Sequence, residues 1–103
     1  NDNLIENSRK VGAHLKYQLV KIHEEFPNII NNVRGLGLMC SFDLPTTDLR
    51  NKFKNNCYDE KLMILGCGEK SIRFRPPLNI NEEEIDKGLT IIRKVLKLML
   101  SNN

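Results

Sequence analysis

The chain has 103 residues, 40% hydrophobic and 28% charged, with 16 basic side chains against 13 acidic ones and a formal charge of +3. A chain of this size buries roughly 65% of the surface its extended form exposes, enough for one modest core, which argues against intrinsic disorder. The small excess of charge argues against an electrostatically driven nucleic-acid binder, and no run approaches the roughly 18 apolar residues of a membrane span.

From the N-terminus, Val11, Leu15, Leu19, Ile22 and Phe26 recur at spacings of four and three, which predicts a helix over residues 4–25. Gly12 interrupts it, either as a close approach by a neighbouring element or as a flexible point, and Pro27 ends it. A short strand around 30–34 follows, then Arg34-Gly35-Leu36-Gly37 as a turn or bulge. Leu38, Cys40, Phe42 and Leu44 alternate with Met39, Ser41 and Asp43, the period of a strand with one covered face. Pro45 to Asp48 reads as a break and a cap, followed by a helix over 48–58 with Leu49, Phe53 and Cys57 inward. Residues 62–65 form a compact apolar strand, 66–70 a glycine-bearing turn and 71–75 a second strand, closed by Pro76-Pro77. Asn81 and Glu84 have the spacing of a capping box, and Ile85, Leu89, Ile92, Leu96 and Met99 form the seam of a last helix. Ile91, Val95, Leu98 and Leu100 widen that seam, predicting burial against more than one surface. The order predicts an α+β domain, a small α/β sandwich whose antiparallel or mixed sheet is covered by helices on one side.

Three cysteines, Cys40, Cys57 and Cys67, stand at wide spacing and form no CxxC pair, so reduced structural thiols and an intracellular setting are expected. His14 and His23 are expected on the surface, no metal site is expected, and Glu82 to Glu84 are explained by the helix dipole. Cys67 between glycines has no identifiable base beside it, which speaks against a nucleophile. The informative pair is Arg73 and Arg75, which a strand would point the same way, opposite Ile72 and Phe74. Two guanidinium groups so placed fit a carboxylate or phosphate site, and they equally fit an exposed polar face paired with glutamates. No catalytic constellation is complete within the chain, so a non-catalytic carboxylate-binding or interaction domain stays open, while a single strand aromatic gives little support to RNA binding.

The stretch VRGLGLMCSF from Val33 to Phe42, then DLPTTDLR, then LGCGEKSIRFRPPLNINEEEID, resembles the C-terminal small domain of the class III, fold-type I aminotransferases. DLPTT and RFRPPL lean toward L-lysine 6-aminotransferases, and GCGEKSIRFRP equally toward 4-aminobutyrate aminotransferases. The resemblance implies that residues 1–103 are one small domain: an entering helix over 1–27, a strand-rich core with one short helix over 28–80 and a C-terminal helix over 81–100. It implies a homodimer whose large domain, in the same polypeptide, binds pyridoxal 5'-phosphate and carries the cofactor-binding lysine. None of Lys10, Lys16, Lys21 or the later lysines matches that residue. Arg73, the first arginine of RFRP, matches the family's residue for the α-carboxylate of 2-oxoglutarate or glutamate, while Arg75 is assigned to supporting structure. The implied reaction moves a terminal amino group to 2-oxoglutarate, with no catalytic, cofactor-binding or metal-binding residue in this chain. Neither nucleic acid nor membrane is an expected partner, and the expected compartment is the cytoplasm, or the mitochondrion if a transit peptide precedes.

Overall fold

The computed structural model describes residues 2–60, 65–67, 70–74, 76 and 79–101, with the side chains of 2, 3, 36 and 65–67 left aside. Helix α1 spans Asp2–Glu25, and its stripe is buried as the spacing predicts, from Val11 through Leu15 and Leu19 to Ile22. Pro27 has no N–H to extend the ladder. The chain instead folds back, with the Ile29 and Ile30 N–H groups donating to the Phe26 carbonyl at 3.1 and 3.0 Å.

Strand β1, Asn31–Leu36, pairs antiparallel with β2, Met39–Asp43, across a tight turn in which Gly37 has φ +59°. The expected short strand therefore runs on through Arg34-Gly35-Leu36, which is strand rather than turn; the turn itself is Gly37-Leu38. A register shift lies between Asn31 and Arg34, where Asn32 takes φ 56°, a conformation asparagine tolerates better than most residues. Helix α2, Thr47–Asp59, starts one residue earlier than expected because Thr46 is the cap, its hydroxyl accepting the Leu49 N–H at 3.1 Å. Phe53 and Cys57 are buried and Leu49 is partly so.

Strand β3 is Leu65–Cys67 and β4 is Ser71–Phe74, again antiparallel. The apolar strand expected over 62–65 is described only at Leu65, and Gly66 and Cys67, read from sequence as turn, are strand residues paired with Ile72 and Ser71. Arg75 and Pro77 lie outside the described residues. The four strands form one sheet in the order β1-β2-β4-β3, entirely antiparallel between neighbours. Because β2 and β3 both run against β4, they are parallel to each other, and α2 is the crossover between them.

Helix α3, Glu82–Ser101, begins with both halves of the capping box: Asn81 Oδ1 accepts the Glu84 N–H at 2.8 Å, and the Asn81 N–H reaches Glu84 Oε1 at 3.4 Å. α1 and α2 pack on the sheet, and α3 packs against both helices, so its seam does meet two surfaces. Val95 is buried and Ile91 half-buried, but Leu98 and Leu100 are about half exposed, at 47% and 48%, so they do not widen the seam. At the centre, Phe42 is fully buried, its ring 5.7 Å from those of Phe53 and Phe74. Each such aromatic pair contributes about 0.5–1.5 kcal/mol beyond its burial. The same ring fixes the parity of β2 and β4: with Phe42, Cys40 and Ile72 facing the helices, Ser41, Asp43, Ser71 and Arg73 must face away.

Candidate functional site

That outward face carries a cluster of polar side chains. Register places Arg34, Ser41 and Arg73 in one row across β1, β2 and β4, with Leu65 of β3 opposite Arg73. One row along, Asp43 stands opposite Ser71. Met39 borders the face at 51% exposure. Arg73 is half-buried, and its Nε is shielded from solvent without a hydrogen-bond partner. Among the described residues it joins no ion pair, which sets it apart from Arg34 and Arg93. A donor withdrawn from water costs about 1–3 kcal/mol until something accepts from it, so the Arg73 Nε can still take an acceptor. The chemistry that matches is a carboxylate, planar and able to take two parallel N–H donors.

Arg34 is the second cation on the face, and it is spoken for. Its Nη1 donates to Asp43 Oδ1 at 3.0 Å and to the Asn32 carbonyl at 2.9 Å, and its Nη2 to Ser71 Oγ at 3.2 Å. The Ser71 hydroxyl and Asn32 Nδ2 also donate to the Asp43 carboxylate. Burial pushes the Asp43 carboxyl up, but hydrogen bonds from Ser71, Asn32 and Arg34 and the Arg34 charge outweigh it and hold Asp43 below its ordinary value. A carboxyl depressed on folding stabilises the fold above its unfolded pKa of about 3.9, and that contribution disappears as pH falls through the lower folded value. The stability gap between the parent and Asp43→Asn is therefore expected to be largest near neutrality and to close on acidification below about pH 4. A gap that stays constant in chemical denaturation down to pH 2–3 would refute the pairing.

The other candidates resolve differently. Cys40 and Cys57 are free and buried, and burial raises both thiols, that of Cys57 to about 12 with a further push from Glu60. Neither is a nucleophile at neutral pH. The side chain of Cys67 lies outside the described residues, as do Gly68 and Arg75. The histidines are less exposed than sequence implies. His14 Nε2 donates to Asp86 Oδ1 at 2.7 Å with Glu82 nearby, joining α1 to α3, and His23 Nδ1 donates to the Ile30 carbonyl. Both are structural contacts far along the chain from Arg73. What sequence reasoning missed is the cluster of Arg34, Asp43 and Ser71: alternation signals the outward direction of Asp43 and Ser71, whereas Arg34 reads from sequence as part of a turn.

Comparison with known proteins gives these positions a context. The sequence model described as aminotransferase class III matches residues 1–96. The chain belongs to the class III aminotransferase family. An L-lysine-epsilon aminotransferase of Mycobacterium tuberculosis is 33% identical over 98 residues, 95% of this chain and 22% of that protein. The mitochondrial 4-aminobutyrate aminotransferase of Sus scrofa is 36% identical over 95 residues, 92% of this chain and 19% of the relative. The solved lysine aminotransferase from M. tuberculosis superposes with a TM-score of 0.92 at 33% identity, covering 94% of this chain and 22% of that one. The chain thus spans about a fifth of the length of these relatives.

Enzymes of this family are generally dependent on pyridoxal phosphate, whose binding needs a lysine for its carbonyl and a cradle for its phosphate. The described residues around Arg73 do not fit it: strands β1, β2 and β4 contain no lysine. The cofactor's own contacts must come from residues other than these.

Proposed function

We propose that this chain is the C-terminal small domain of an aminotransferase that moves a terminal amino group to 2-oxoglutarate, with L-lysine as the preferred donor. In this reading residues 1–27 enter the domain, 28–80 form its strand-rich core and 81–100 close it, while a large domain of the same polypeptide holds pyridoxal 5'-phosphate and pairs with a second copy. The cofactor supplies the electron sink for breaking and making bonds at the amine-bearing carbon. This chain's contribution is recognition: Arg73 takes the α-carboxylate of the 2-oxo acid, orients its carbonyl and releases the carboxylate with the product. Water leaves the face as the acid enters, and the guanidinium then acts at lower dielectric, where one charged pair discriminates strongly.

The observation carrying this reading is the Nε of Arg73, shielded and without an acceptor on the sheet face opposite Phe42, Cys40 and Ile72. The alternative donor, 4-aminobutyrate, is supported by the relative of comparable identity from Sus scrofa. Turnover by the whole enzyme with 2-oxoglutarate separates them. Lysine is expected to give a kcat/KM at least tenfold above that of 4-aminobutyrate, and the reverse ranking assigns the runner-up. Absence of amino transfer from both donors to any 2-oxo acid would reject the transaminase reading and leave a carboxylate-binding domain.

A further inference from the structure

We propose that Asp43 is a positioning residue for Arg73: its carboxylate ties Ser71, Arg34 and Asn32 together one register row away, fixing the strand from which that guanidinium projects. The inference rests on the reading that Arg73 binds the carboxylate of the 2-oxo acid.

Three observations carry it. First, the Nε of Arg73 lacks a partner and the residue joins no ion pair among the described residues, which leaves its backbone as the restraint on view. Second, that backbone belongs to a strand of only four residues, Ser71–Phe74, in which ladder bonds alone give limited restraint. The side-chain contacts converge on Ser71, two residues before Arg73 on the same face. Its hydroxyl donates to Asp43 Oδ1 and accepts from Arg34 Nη2 at 3.2 Å, and its carbonyl accepts from Arg50 Nη1 of α2 at 3.1 Å. Successive residues on one face of a strand lie roughly 7 Å apart, so the stitch sits directly behind the binding arginine.

Third, Asp43 settles the charge of the face. Arg34 and Arg73 occupy one row on either side of Ser41, two strand spacings apart, or about 10 Å between backbones. Both side chains are long enough to meet over a serine. With Asp43 ionised and paired at 3.0 Å, Arg34 is turned toward the neighbouring row and its charge is balanced. Without that carboxylate, a second guanidinium is free to compete for the same carboxylate and draw it off the line that Arg73 sets. Asp43 touches neither substrate nor cofactor in this arrangement; it acts through β4 and Arg34.

The test uses the whole enzyme loaded with cofactor, and reads the two half-reactions separately. Asp43→Ala is expected to raise the KM for 2-oxoglutarate about tenfold, while the single-turnover rate with the amine donor alone stays within twofold of the parent. Asp43→Asn keeps an oxygen for Ser71 but loses the charge, and is expected to raise the same KM about threefold. A structural defect alone would move both half-reactions together. If Asp43→Ala does not accumulate as folded protein, Asp43→Asn at about threefold and Ser71→Ala at about tenfold take its place, each with the amine half-reaction within twofold of the parent. An acceptor KM within twofold of the parent, or parallel losses in both half-reactions, overturns the inference. Arg73→Ala run alongside separates the two claims: a large acceptor effect there with none at Asp43 sinks only the positioning role. No acceptor effect in Arg73→Ala removes the carboxylate-binding reading, and this inference with it.

Discussion

With Arg73 replaced by alanine, the whole enzyme is expected to need roughly 100-fold more 2-oxoglutarate to reach half its maximal rate, because a desolvated charge pair removed from one side costs about 2–5 kcal/mol. The argument is one of alternatives for the incoming carboxylate. On this face Arg34 is committed to Asp43, Ser71 and the Asn32 carbonyl, so a carboxylate that loses Arg73 finds no free guanidinium in the same row. Arg73→Lys restores the charge but not the planar pair of donors, and is expected to recover only part of the loss, about tenfold. Folding should change little. The side chain is half-buried on the outward face, it is absent from the apolar core, and truncating it removes a donor that has no partner. Steady-state kinetics with the acceptor varied, alongside thermal unfolding of the same samples, checks both halves. Acceptor kinetics equal to the parent's would end the assignment, and so would a thermal loss large enough to account for the kinetic one.

How much of this was legible in the sequence depends on whether the determining contact is local. The helices follow from stripes within single segments, and the α3 start follows from two residues three apart, Asn81 and Glu84, which do cap each other. The outward direction of Arg73 also follows locally, from alternation with Ile72 and Phe74, both of which pack with the core. Pairing is another matter. Alternation in β2 says which residues share a face but not which strand lies beside it, and insertion of β4 between β2 and β3 is a long-range choice. Arg34 was obscured for a related reason: the irregularity at Asn32 shifts register between Asn31 and Arg34, so parity counted from Ile30 does not carry across it. Gly66 and Cys67 read as turn because glycine weakens a strand, yet β4 supplies the partner that overrides propensity. The Asp43 cluster joins three strands and was invisible until their order was known. Leu98 and Leu100 show the opposite error, in which apolar character was taken as burial although isolated apolar residues are common on surfaces.

Gly12→Ala is expected to destabilise the protein by about 2–4 kcal/mol, against a helix propensity that favours alanine over glycine by about 1 kcal/mol. Gly12 lies inside α1 and is buried, where the helix crosses the β1–β2 turn. A methyl group there would lie inside the Gly37 carbonyl carbon and oxygen and only 3.0 Å from its Cα. Those are backbone atoms, so no rotamer change makes room. Either α1 lifts from the hairpin, loosening Val11 and Leu15 from the core, or the turn moves. The turn has little latitude of its own, since Gly37 already sits at φ +59° and Leu38 beside it is buried. A neighbouring pair of substitutions separates contact from propensity. Ala13→Gly, at an exposed position one residue on, should cost only the propensity difference of about 1 kcal/mol. Gly37→Ala meets no atom within 4 Å and should cost about 1–2 kcal/mol, from its left-handed backbone alone. Chemical denaturation of the three variants, with amide exchange to locate the loss, should rank Gly12→Ala as the most damaging and map its effect to α1 and the β1–β2 hairpin. A Gly12→Ala protein as stable as the parent would mean that α1 and the hairpin do not approach as closely as described. The sequence-level alternative, a merely flexible glycine, would then stand in place of a contact between two backbones.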